Sequence, residues 1–128
     1  MMKSESTSGS NSQVQFIGYE VLKFHFEQDA SGEKEGWNFY PDVRIAVLKD
    51  GTLRGEVLLS ANAFLEFKGG KRCAIAVLWR GFFQSLNMTQ EELKQYCLVK
   101  GSAYLISPLR TFVNDFLENV RKISHDAL

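Results

Sequence analysis

Leu53 to Lys68 reads LRGEVLLSANAFLEFK, and Arg72 to Leu86 reads RCAIAVLWRGFFQSL. In the first segment Leu53, Gly55, Val57, Leu59, Ala61, Ala63, Leu65 and Phe67 share one parity, while Arg54, Glu56, Ser60, Asn62, Glu66 and Lys68 dominate the other. A period of two marks a strand with one buried and one wet face. The second segment is apolar on both parities from Cys73 to Trp79, so one face covers a core and the other is hidden beneath a loop, a helix or another subunit. Gly69-Gly70 between them reads as a hairpin turn. Both strands far exceed the usual length of roughly 5 to 6 residues, and together they predict a long-stranded antiparallel sheet that packs on a copy of itself.

On the N-terminal side, Phe39, Val43, Ile45 and Val47 share the parity of Trp37, while Asn38, Asp42 and Arg44 take the other. This is a second strand, joined to LRGEVLL through Lys49-Asp50-Gly51-Thr52, whose Asp-Gly pair favours a tight turn. Pro41 cannot donate a ladder hydrogen bond and points to an edge position, or to a strand proper that begins after it with Trp37 to Tyr40 as an aromatic lead-in. Farther back, Leu22, Phe24 and Phe26 alternate with Lys23, His25 and Glu27, whereas Ile17, Tyr19 and Val21 fall on the opposite parity. The change of phase predicts a bulge or bend at Gly18. Met1 to Ser12 is rich in Ser and Gly and has nothing to bury, which predicts a flexible tail over 1–12 and a single folded domain over 13–128.

C-terminal to the sheet, Thr89 and Glu92 have the spacing of a capping box and Met88 can staple onto Leu93, giving a short helix that ends near Tyr96. Leu109, Phe112, Val113, Phe116, Leu117, Val120 and Ile123 then form one helical stripe, with Ser107 as N-cap and Pro108 at the first helical position.

Composition narrows the function. Lys plus Arg and Asp plus Glu are balanced at 15 each, so no basic field exists to hold nucleic acid. The two cysteines, Cys73 and Cys97, form no CxxC, and His25 and His125 are far apart, so no metal spacing is present and no cofactor is implied. Both cysteines read as reduced core residues. No signal-peptide pattern or membrane-spanning apolar run occurs, which predicts a cytoplasmic protein with no membrane insertion. Catalytic motifs are missing: there is no P-loop, no GxGxxG turn, no GxSxG elbow and no HExxH helix. A nucleophilic set of His25 with Cys73 or Cys97 is disfavoured, because Cys73 lies in apolar text where a thiolate is costly. A non-catalytic α+β domain is expected: four long antiparallel strands with helices packed on one face.

Over Gln13 to about Val120 the chain resembles the SecB family of export chaperones. The resemblance rests on a first strand ending in FHFE, the segment FYPDVRIAV at Phe39 to Val47, Gly81 and Phe83 at the end of the long hairpin, and GSAYLISPLRTFVNDFL at Gly101 to Leu117. It implies a cytoplasmic holdase that keeps precursor polypeptides unfolded, assembled as a dimer of dimers. The residues it implies for polypeptide binding are Trp37, Phe39, Tyr40, Phe82 and Phe83, each of which can equally be core. Ile75, Val77, Trp79, Phe112 and Phe116 are the corresponding oligomer-interface residues. Glu27 matches one acidic position of the face that docks the motor SecA, while Lys23 and Ala76 stand where others are acidic. The family's proline-rich segment and second helix, expected after the main helix, have no counterpart before Leu128, and neither has its zinc-seeking tail. Two alternatives remain open: an adaptor or oligomerisation module with the same fold, and a small-ligand-binding α+β domain.

Overall fold

In a computed structural model, which describes residues 14–30, 34–68 and 71–126, four strands follow one another: β1 (Gln15–Ala30), β2 (Gly36–Val47), β3 (Leu53–Lys68) and β4 (Lys71–Ser85). All pairs are antiparallel and the order is β1-β4-β3-β2, so β1 and β2 are the two edges. The expected tail and the Gly69-Gly70 turn lie outside the described residues. Between β2 and β3 the Asp-Gly reading holds. Gly51 N–H donates to the Leu48 carbonyl at 3.0 Å and Leu48 N–H to the Thr52 carbonyl at 2.8 Å. Gly51 sits at φ +88°, the conformation a three-residue hairpin needs at its bulge position and one that a side chain resists.

Two helices cover one face. Helix α1 (Gln90–Tyr96) opens with the capping box anticipated from sequence: Glu92 N–H donates to Thr89 Oγ1 at 3.1 Å and Thr89 N–H to Glu92 Oε1 at 2.8 Å. A π turn over Cys97–Gly101 then leads without a break into α2 (Ser102–Asp126). Ser107 is therefore no N-cap, and Pro108 lies inside a helix. Pro108 has no N–H to give the Tyr104 carbonyl.

Helices and sheet meet over the odd parity of β3 and β4. Val57, Leu59, Ile75, Val77, Trp79 and Phe83 pack under Leu105, Leu109, Val113 and Leu117, with Leu93 and Cys97 closing the α1 end. Gly81 makes the close approach possible, since a Cβ there would stand 2.6 Å from Leu105 Cδ2. In β1 the register shifts three times, between Phe16 and Gly18, between Val21 and Lys23, and between Glu27 and Ala30. The bulge expected at Gly18 is the first of these shifts, and the phase change between Val21 and Phe24 belongs to the second, at Leu22. Tyr19 and Val21 before it and Phe24 and Phe26 after it consequently all face the helices.

Candidate functional site

Trp37, Phe39, Val43 and Ile45 stand in a row along the edge strand β2, on the helix face, half-buried against the margin of the core. The Trp37 and Phe39 rings stack, 5.5 Å between centroids and 3° between planes. The Arg110 guanidinium of α2 lies 6.0 Å from the centre of the Trp37 ring. At the other end, Val43 and Ile45 meet Gln90, Glu91 and Lys94 of α1 around a hollow of about 280 Å³. The result is a shallow apolar strip with a sheet edge on one side and polar helix side chains at both ends. Such a surface suits an extended chain with apolar side chains and is too open to enclose a small molecule.

The five aromatic residues expected to bind polypeptide do not form one surface. Trp37 and Phe39 come together. Phe83 is core, 1% exposed beneath Phe16 and Tyr96. Tyr40 and Phe82 point to the opposite face of the sheet, where Phe82 lies between Arg80, 5.3 Å from its ring centre, and Arg54, at 6.0 Å. Alternation forces this separation, since neighbours in a strand face opposite ways. The expected interface set divides too. Ile75, Val77 and Trp79 are covered by the chain's own helices, so no second copy can reach them. It is the even parity of β4, with Ala74, Ala76 and Leu78, that stays half-open. Phe112 and Phe116 pack edge-on against Phe24 of β1, with Phe112 partly exposed. Beside Phe112 a second hollow of about 380 Å³ is lined by Tyr19, Val21, Trp79, Pro108 and Phe112, with Glu20, Thr111 and Asp115.

On the helix-free face Arg80 bridges Glu20 at 2.9 Å and Glu56 at 3.1 Å, and these carboxylates, Glu20 foremost, hold the guanidinium above its usual pKa. Glu27 is exposed on that face, 4.0 Å from His25. Cys73, Cys97 and His25 do not form a nucleophilic set. Burial pushes the Cys97 thiol up to about 11 and raises that of Cys73, and His25 is fully on the outer face. Among the described residues no cluster of His, Cys, Asp and Glu could hold a metal ion, and no helix is long and apolar enough to cross a membrane.

No family's sequence profile matches the chain, and no curated protein matches it in sequence. Among solved structures, a SecB-like chaperone of Mycobacterium tuberculosis, Rv1957, in complex with a ChAD peptide from the HigA1 antitoxin, superposes with a TM-score of 0.61. The match covers 88% of this chain and 86% of that one, at 13% sequence identity. The chain has a SecB-like fold. In SecB-like terms the segments quoted from the sequence occupy structural joints: FYPDVRIAV forms most of the β2 edge, Gly81 admits Leu105, and GSAYLISPLR carries the chain from the π turn into α2. Sequence reasoning missed Val43, Ile45 and Arg110 as site residues. Shared parity with Trp37 and Phe39 was the available signal for the first two; Arg110 needed the fold.

Proposed function

We propose that this protein is a polypeptide-binding chaperone, a holdase that keeps client chains extended and unfolded. The observation that carries the reading is the stacked Trp37–Phe39 pair continuing into Val43 and Ile45 along a sheet edge. The SecB-like fold supports it, because the solved neighbour is a chaperone in complex with a peptide. In this reading the protein acts in the cytoplasm and works by binding, without catalysis. Assembly into a dimer of dimers draws on the exposed apolar residues near β1 and α2, including Ile17, Tyr19, Leu22, Tyr104 and Phe112. Support for docking SecA through Glu27 is thin, since Arg80 already engages the two carboxylates at the centre of the same face.

Binding of a reduced, carboxymethylated polypeptide that cannot fold, against its native form, tests the holdase reading. Tight binding of the unfolded form alone is expected. Trp37→Ala and Phe39→Ala are each expected to weaken it about tenfold, the usual effect of losing an aromatic anchor, with native mass unchanged. Equal affinity for both forms would sink the holdase and favour an adaptor. Unchanged binding by both variants would move the site elsewhere.

A further inference from the structure

Arg110 is exposed on α2, and among the described residues it makes no ion pair and no hydrogen bond. It lies over the Trp37 ring at 6.0 Å, the outer reach of a cation–π contact. Such a contact uses the charge of a guanidinium but none of its five N–H donors, which stay free for a planar acceptor. Every other charge near the strip is answered or turned away. Glu91 and Lys94 border the same hollow beside Val43 and Ile45 with opposite signs, and the Gln95 amide donates to Glu91 at 3.4 Å. Farther along α2, Arg121 pairs with Glu118 at 3.7 Å. Asp42 and Arg44 have the even parity of β2 and stand on the opposite face of the sheet. Lys34 and Glu35, just ahead of β2, offset one another in charge, and neither pairs with Arg110. The strip therefore carries one uncompensated positive charge, at its aromatic end. The seam on the other flank of α2 has the reverse sign: Glu20 and Asp115 border the hollow beside Phe112, with no Lys or Arg in its lining.

We propose that Arg110 makes the strip selective for client segments that carry an Asp or Glu side chain at one end of a short apolar stretch. The carboxylate takes two N–H bonds from the guanidinium, and the apolar side chains lie along Phe39, Val43 and Ile45. The proposal rests on the holdase reading and names the class of segment that the site prefers. Arginine suits this task because its fork matches a carboxylate in two parallel bonds. The neighbouring Trp37 and Phe39 rings, stacked on one another, shield the pair from water on one side and raise its worth above that of an open surface pair. Trp37 and Ile45 are about 27 Å apart along an extended strand, so a segment of about eight residues covers the strip. A free small anion would meet Arg110 alone and gain nothing from the apolar surface. The acid-rimmed seam beside Phe112 repels the same segment, so charge decides which of the two apolar surfaces flanking α2 it occupies.

Three end-blocked synthetic peptides test the proposal on the full-length protein, each about eight residues long, alternating Leu and Ser, with Glu, Gln or Lys at both ends. By fluorescence anisotropy the Glu peptide should bind about fivefold more tightly than the Gln peptide, the worth of a favourable ion pair, and the Lys peptide more weakly than either. The preference should shrink in high salt. Arg110→Gln should erase the difference between the Glu and Gln peptides, and Arg110→Glu should reverse the order in favour of Lys. Arg110→Lys, which keeps the charge but not the fork, should keep only part of the preference. Equal binding of the three peptides, or a Glu preference that survives Arg110→Gln, would overturn the selectivity and leave the holdase standing. Binding of none of the three would also overturn it, and the reduced, carboxymethylated polypeptide then decides the holdase separately. A lower native mass for Arg110→Glu with unchanged peptide preference would assign Arg110 to a contact between copies and overturn the proposal.

Discussion

The two faces of β4 are built from the same strand and have opposite characters. Toward the helices, Cys73, Ile75, Val77, Trp79 and Phe83 are sealed, and Gly81 lets Leu105 press down to its backbone. Away from them, Ala74, Ala76 and Leu78 form a half-open floor, with Arg80 and Phe82 joined in a network of charge and ring contacts. An apolar run on both parities therefore does not mean that both faces belong to the core. One face carries the stability of the fold, and the other is free to change.

That asymmetry is open to test, and the largest effect is expected at Trp79. Trp79→Ala should cost about 4 kcal/mol by chemical denaturation, as for other buried aromatic truncations. Trp79→Phe should cost much less, because the indole N–H has no partner in the core and its removal relieves an unsatisfied group. Gly81→Val should cost about 3 kcal/mol through overpacking against Leu105; a folded variant of wild-type stability would show that α2 can lift from the sheet.

The sealed face also predicts a dependence on pH. Burial holds the Cys97 thiol protonated up to about 11, from an ordinary value of 9.0. Between those values the unfolded chain releases the proton and the folded chain keeps it, so this thiol's contribution to stability should be flat below pH 9 and fall by about 2 to 3 kcal/mol as pH rises to 11. Cys73 and Tyr96, also raised by burial, push the same way. Cys97→Ala should remove its share of the slope; an identical slope would mean that the thiol does not titrate on unfolding. The smallest effect belongs to the open face. Arg80→Met should leave stability almost unchanged, with any loss shrinking further in high salt.

Much of this architecture was legible because alternation along β3 and β4 and the Thr89–Glu92 cap are local chemistry, written in neighbouring residues. The bulge at Leu22 was not, since a bulge is set by the partner strand and leaves no residue type to mark it. Pro108 misled for a related reason. The Ser-Pro pair is a sound sign of a helix start, and only tertiary context shows the helix already under way. In the site, Trp37 and Phe39 were readable as a pair. The resemblance adds Tyr40, Phe82 and Phe83 to them, although parity alone puts Tyr40 and Phe82 on the far side of the sheet from Phe39 and Phe83.

The π turn at Cys97–Gly101 also governs winding. Leu93, Cys97, Gly101, Leu105, Leu109, Val113 and Leu117 are all buried, each four residues after the last. An ideal α-helix gains about 40° on a four-residue beat at every step, so a straight helix with this beat would soon turn its apolar row away from the sheet. A π turn has more residues per revolution and absorbs part of that gain, and an oblique i+4 ridge laid across a twisted sheet absorbs more. The surplus residue at the π turn thus works as a phase correction: it lets one unbroken rhythm of buried positions run from the start of α1 to the middle of α2.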